Sequence, residues 1–158
     1  METLNLIELL HDLATINLER ARAYEEASLQ NHLYDVELRT TFALLANQSR
    51  QNSYMLKLQL EKLLAKNGGT QPAPGELYSR WKSDTGYFTG TNRETLLDSC
   101  EAGETLMVDL YEKALENPLR PEMRELLEGQ WRGLQSSLST VKKIRELGST
   151  PRPFGRRF

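Results

Sequence analysis

At 158 residues, with 39% hydrophobic and 27% charged side chains, the chain has enough apolar material for one packed domain and needs no disulfide or structural metal to hold it. The net charge of −2 selects neither a polyanion nor a polycation as partner; it divides into +3 on the tail Gly148–Phe158, from Arg152, Arg156 and Arg157, and −5 on residues 1–147. The one cysteine, Cys100, excludes an internal disulfide framework and suits a reducing compartment.

The opening Met-Glu-Thr-Leu-Asn-Leu lacks the basic start and apolar run of a secretory signal. No apolar stretch approaches the roughly 20 residues that cross a bilayer. The expectation is a cytoplasmic protein with no membrane partner.

Apolar residues at helical spacing predict a first long helix from about Leu4 to Gln30, with Thr3 as its cap. Its stripe is Leu6, Leu10, Leu13, Ile16 or Asn17, Tyr24 and Ala27. After a short polar connection, Asp35 caps a second long helix that runs to about Lys66, with Leu38, Phe42, Leu45, Ser49, Asn52, Leu56 and Leu63 inward. Asn67-Gly68-Gly69 stops it, because glycine takes the left-handed conformation at a helix end most easily.

Residues 68–93 hold Gly68, Gly69, Pro72, Pro74, Gly75, Gly86 and Gly90 and cannot form a long helix. This is the long connection, with a short helix predicted over Glu76–Lys82. Trp81, Tyr87 and Phe88 are large enough to pin it to an end of the helical body.

Thr91-Asn92-Arg93-Glu94 reads as a capping box, with Thr91 and Glu94 each satisfying a free amide. It opens a third long helix to about Glu116, with Leu97, Cys100, Glu104, Met107 or Val108, Tyr111 and Leu115 inward. Pro118 and Pro121 make the next turn, and Pro121 suits the first position of a fourth long helix ending near Leu147. Its stripe is Met123, Leu127, Gln130, Leu134, Leu138 or Ser137, Val141 and Ile144.

Two helical hairpins joined by a long crossover make an all-α, ferritin-like four-helix bundle over residues 1–147, followed by a basic tail over 148–158. The segment Leu97-Asp98-Ser99-Cys100-Glu101-Ala102-Gly103-Glu104, then Tyr111 and Ala114-Leu115, resembles an uncharacterised bacterial family of ferritin-like four-helix-bundle proteins, a domain of unknown function. Trp81 and the Pro121, Arg124, Leu127, Gln130 run resemble it too, so that the likeness spans about residues 3–147. The resemblance implies the fold and brings no established activity.

A di-iron bundle takes a glutamate from each of two helices and a Glu-x-x-His pair from each of the other two. Here the second helix offers Gln48-Ser49-Arg50-Gln51-Asn52 at that level, and Glu128 is followed three residues later by Trp131. His11 and His32 stand in no such frame. Glu101 and Glu104, one turn apart, are both able to point inward. A degenerate carboxylate site for iron would draw on Glu19, Glu101, Glu104 and Glu128. Ligand count favours instead a buried Glu104, hydrogen-bonded to Gln130, Asn52 or Tyr24.

Cys100 reads as a small buried hydrophobe, since Asp98 and Glu101 oppose a thiolate. Ser49, Ser53, Ser136, Ser137 and Ser139 lie in no Gly-x-Ser-x-Gly segment and read as helix-packing residues. Trp131 reads as a flank or interface residue, with Leu119 or Tyr54 beside it. Three arginines with Phe154 and Phe158 make no strong nucleic-acid signal.

The expectation is therefore a non-enzymatic, metal-free bundle that acts through protein contacts as a homodimer or higher oligomer. Iron binding at the degenerate site is the alternative. A third reading is a small-ligand pocket lined by Asn17, Tyr24, Asn52, Glu104 and Gln130.

Overall fold

The computed structural model describes residues 3–30, 35–83 and 86–149. The described residues are all helical or irregular, with no strand: α1 is Thr3–Ser28, α2 Val36–Lys66, α3 Glu76–Lys82, α4 Arg93–Leu115 and α5 Pro121–Ser149. His32 and Arg152, Arg156 and Arg157 lie outside them.

Local side-chain chemistry sets most boundaries. Asp35 accepts a hydrogen bond from the Leu38 amide at 3.1 Å and caps α2. At the other end Gly68 and Gly69 take φ of +89° and +76°, and the Gly69 amide returns to the Leu64 carbonyl at 2.7 Å. The cap of α4 differs from expectation by one residue. Asn92, not Thr91, accepts from the Thr95 amide, and the Thr95 hydroxyl accepts from the Asn92 amide. An amide side chain and a threonine three residues apart complete the box without Glu94. At the far end α5 continues to Ser149, so the start of the expected tail is helical.

Hydrogen bonds between helices fix the packing. In α1 and α2, Ser53 donates to the Ala14 carbonyl and Tyr24 meets Phe42 with centroids 5.1 Å apart, so rising numbers on one match falling numbers on the other. In α4 and α5, Tyr111 meets Gln130 and Asp98 meets Arg145, again antiparallel. Arg20 to Glu104 and Asn17 to Tyr111 set α1 antiparallel to α4. Gln48 to Ser137 and Asn52 to Gln130 set α2 antiparallel to α5. So α1 and α5 run one way, and α2 and α4 the other.

That order forces the connection to cover the length of the body. Arg93, opening α4, stands 3.6 Å from Asp35 at the start of α2, while α2 ends about 45 Å away. The connection climbs along α1. Its α3 segment starts against Asp12 and ends against Glu19, and Phe88 lies on Tyr24 with centroids 4.8 Å apart. The aromatic residues therefore seal a flank and do not close an end. Phe88 is the one described non-glycine residue with positive φ, +64°. Its ring, 3% exposed between Tyr24, Trp81 and Tyr87, offsets that backbone cost by burial.

The core follows the stripes: Leu10, Leu13, Phe42, Leu56, Leu97, Met107, Leu127 and Leu134 are buried, and so is Cys100. Leu6, Leu63, Leu115, Leu138 and Ile144 are only partly covered.

Candidate functional site

Midway along the body the core turns polar. Arg20 follows Asn17 by three positions and precedes Tyr24 by four, which puts it on the buried stripe of α1. Its side chain and that of Glu104 are both 0% exposed. The guanidinium donates through Nε and Nη2 to the two carboxylate oxygens, each at 2.6 Å. This is the planar two-pronged geometry that arginine provides and lysine does not. Through Nη1 it also reaches Ser49 Oγ at 2.6 Å, Gln48 Oε1 at 2.8 Å and the Leu45 carbonyl at 3.3 Å. Tyr24 places its ring 5.2 Å from the guanidinium carbon.

A second chain of hydrogen bonds continues from there. Ser49 donates to Asn17 Oδ1 at 2.9 Å, and Asn52 to the same oxygen at 3.3 Å. Asn17 donates to the Tyr111 hydroxyl at 2.9 Å, which donates to Gln130 Oε1 at 2.6 Å. Gln130 donates to the Asn52 carbonyl at 3.2 Å, and Ser137 to Gln48 Oε1 at 3.0 Å. All four long helices are tied together in this layer.

Burial decides the ionisation of these groups. It opposes the charge on Arg20, but the Glu104 carboxylate more than offsets this, and the pKa stands above its already high value. Burial, reinforced by Glu104, pushes the Tyr24 hydroxyl well above the usual tyrosine range; that hydroxyl has no hydrogen-bond partner of good geometry. Burial also pushes up the Tyr111 hydroxyl and the Cys100 thiol, and Glu104 adds to the second. Cys100 is a core residue and no thiolate.

The structure brings Asn17, Asn52 and Gln130 together as expected of a polar middle layer, with Glu104 and Tyr24 close by. Their polar groups are spent largely on one another and on Ser49, Tyr111 and Arg20, so they form a knit layer and not an open pocket lining. Glu104 gives both oxygens to Arg20, and neither Gln130 nor Asn52 bonds to it, because the guanidinium supplies charge as well as donors; Tyr24 lies close by without a bond of good geometry. Ser53 and Ser137, expected as packing residues, hydrogen-bond across helices.

The carboxylates expected for a degenerate iron site are not gathered. Glu101 turns away from Glu104 and stands 2.8 Å from Arg145 near the surface. Glu19 leaves the core for the connection, accepting from the Tyr78 hydroxyl at 2.5 Å and from the Trp81 indole at 3.1 Å. The first of these bonds, with burial, pushes the Tyr78 pKa up to about 12. Glu128 is half-buried on α5 and enters none of the core hydrogen bonds. Among the described residues no group of three or more His, Cys, Asp or Glu side chains is placed to hold a metal ion. The donor set does not fit a di-iron centre: one carboxylate is neutralised by an arginine and the others face elsewhere.

Asp12 was missed from the sequence. It is 1% exposed and accepts from the amides of Gly75 at 2.9 Å and Tyr78 at 3.2 Å, so α1 supplies the cap that α3 lacks. Trp131 is half-buried and donates to Glu112 at 3.2 Å, on the flank between α4 and α5.

The model of a family described as a domain of unknown function (DUF2383) matches residues 5–117. The chain belongs to that family. The matched stretch of the DUF2383 family takes in α1 through α4, hence both Arg20 and Glu104, and stops before α5. Among curated proteins none matches the chain. No described helix is long and apolar enough to cross a membrane.

Proposed function

We propose that this chain is a ferritin-like four-helix bundle that carries no metal in its core, has no enzymatic activity, and works in the cytoplasm through contacts with other proteins, as a homo-oligomer. The observation that carries the reading is the Arg20–Glu104 pair. A dimetal bundle places cations between its helices at this level and surrounds them with carboxylates. Here the cation is a guanidinium, which does not lose its proton, and it takes both oxygens of the one fully buried glutamate among the described residues. A metal ion at this level would find no free carboxylate among these residues, and taking Glu104 would leave the Arg20 guanidinium buried and uncompensated. The ferritin-like assignment draws support from the helix directions and from the connection that climbs the flank between the hairpins. The single cysteine is what favours the cytoplasm.

Metal analysis tests the proposal. Protein purified without chelator and protein loaded anaerobically with Fe(II) are both expected to hold far less than one iron per chain. One to two irons per chain, lost on Glu104→Ala, would replace this reading with the iron-binding alternative.

A further inference from the structure

Six large hydrophobic side chains among the described residues are well exposed; apart from Leu29 after α1 and Leu147 near the end of α5, they are Val36, Leu44, Tyr54 and Met55, all on α2, at 64%, 65%, 63% and 42% exposure. They share the face opposite its core stripe. Between Arg39 and Lys57 that helix carries a single charge, Arg50, and Glu25 of α1 holds it with hydrogen bonds of 2.6 and 2.7 Å. The face is about 40 Å long from Val36 to Lys62.

Charges flank it in a self-complementary order. On the side toward α1, Arg39, Arg50 and Glu61 recur every eleven residues, three helical turns apart. On the side toward α5, Glu37, Leu44, Met55 and Lys62 recur at spacings of seven and eleven; Lys62 shares a surface groove with Met123 of α5. Each flank thus begins with one sign of charge and ends with the other.

We propose that α2 packs against α2 of a second copy of this chain, antiparallel, about a two-fold axis between Ser49 and Arg50. Such an axis sets each flank against the same flank of its partner with the direction reversed. Residues equidistant from the axis then meet. Glu37 faces the partner's Lys62 and Leu44 faces the partner's Met55, while Arg39 falls within one residue of the partner's Glu61. Asn47 falls within one residue of the partner's Gln51, and such amide pairs in an otherwise apolar seam fix one register against its neighbours. At the axis the two Arg50 side chains come together already neutralised by Glu25. Each of these ion pairs occurs twice. This deepens the protein-contact reading and rests on it only in taking contact as what the chain does.

Sedimentation equilibrium over the micromolar range tests it. The full chain is expected to be a dimer. Tyr54→Asp is expected to leave a monomer with unchanged helix content and melting, because this side chain faces solvent in the single chain. Glu37→Lys and Lys62→Glu are each expected to weaken the dimer about tenfold, and the two together to restore it, since the exchange rebuilds the pair. A monomeric wild-type chain overturns the proposal. So does a dimer indifferent to these variants, or a double variant weaker than either single one. Iron measured on the same samples reports on the metal-free reading alone, so the two can fail separately.

Discussion

Arg20 of α1 and Glu104 of α4, 84 positions apart, meet in a two-pronged ion pair that neither side chain shares with solvent. Its energetics are lopsided. The pair as a whole contributes little net stability, because both charges lost their water to form it. Removing one partner leaves the other buried and uncompensated. Glu104→Ala is therefore expected to cost about 3–5 kcal/mol in urea unfolding. Replacing both with apolar residues, as in Arg20→Met with Glu104→Leu, is expected to recover most of that loss. A double variant no more stable than the single one would mean that Gln48, Ser49 and the Leu45 carbonyl, left without their donor, dominate the cost.

Alkaline pH attacks the same layer. Tyr24 and Tyr111 have pKa values raised by burial, and Tyr78 is raised to about 12 by its bond to Glu19. A raised folded pKa means that the stability is intact below the unfolded value, near 10 for tyrosine, and drains away as pH climbs toward the folded one. The loss is expected at about 1.4 kcal/mol per pH unit for each such group. Absorbance at 295 nm, followed with circular dichroism, reads these ionisations against free tyrosine, which ionises near pH 10. These three should ionise later and together with loss of helix. Tyr111→Phe is expected to make the decline shallower. Early ionisation of all six tyrosines with the helices intact would contradict the burial.

Most of the fold was legible because its signals are local. Asp35, the two glycines after Asn67, and Pro121 each act within a turn of themselves, and the apolar spacing of each long helix needs no knowledge of the others. The α4 cap was read one residue early because two overlapping boxes fit that stretch and only geometry chooses between them. The site was harder. Arg20 sits in register with Ile16, Asn17 and Tyr24, which was a visible signal, but a charged residue on a stripe ordinarily marks a gap in it. What buries it is a carboxylate 84 positions away, beyond the reach of any periodicity. Glu101 and Glu104 lie one turn apart, yet a helix turns about 60° short of a full circle over three residues. One of them faces the core, and the other meets Arg145 at the rim.

The connection depends on Asp12 in the same way that the layer depends on Glu104. Gly75 has no side chain to cap α3, and the Asp12 carboxylate meets the Gly75 and Tyr78 amides from α1 instead. Asp12→Ala is expected to cost about 1–2 kcal/mol, as loss of a helix cap does. It should also raise hydrogen exchange across residues 75–82 before the long helices are affected. Uniform exchange throughout the chain would mean that the connection and the bundle open as one unit.

Two glycines on long helices should respond to alanine with opposite signs. Gly103 on α4 lies under Phe88, and a Cβ there would overlap the ring. The ring has little room to retreat, held between Tyr24 and Trp81 by a backbone at φ +64°. Gly129 on α5 faces open space, with nothing within 4 Å of an added Cβ. Alanine is the better helix former by about 0.8–1 kcal/mol, so Gly129→Ala is expected to raise the stability by close to that amount. At Gly103 the same propensity gain is outweighed by overpacking, which costs about 1–3 kcal/mol. Gly103→Ala should therefore lower the melting temperature while Gly129→Ala raises it. In the Phe88→Ala background, where no ring remains to be displaced, Gly103→Ala should turn neutral or stabilising. A penalty that persists without the ring would place the crowding in the helix backbone, and the connection would not be what requires glycine at 103.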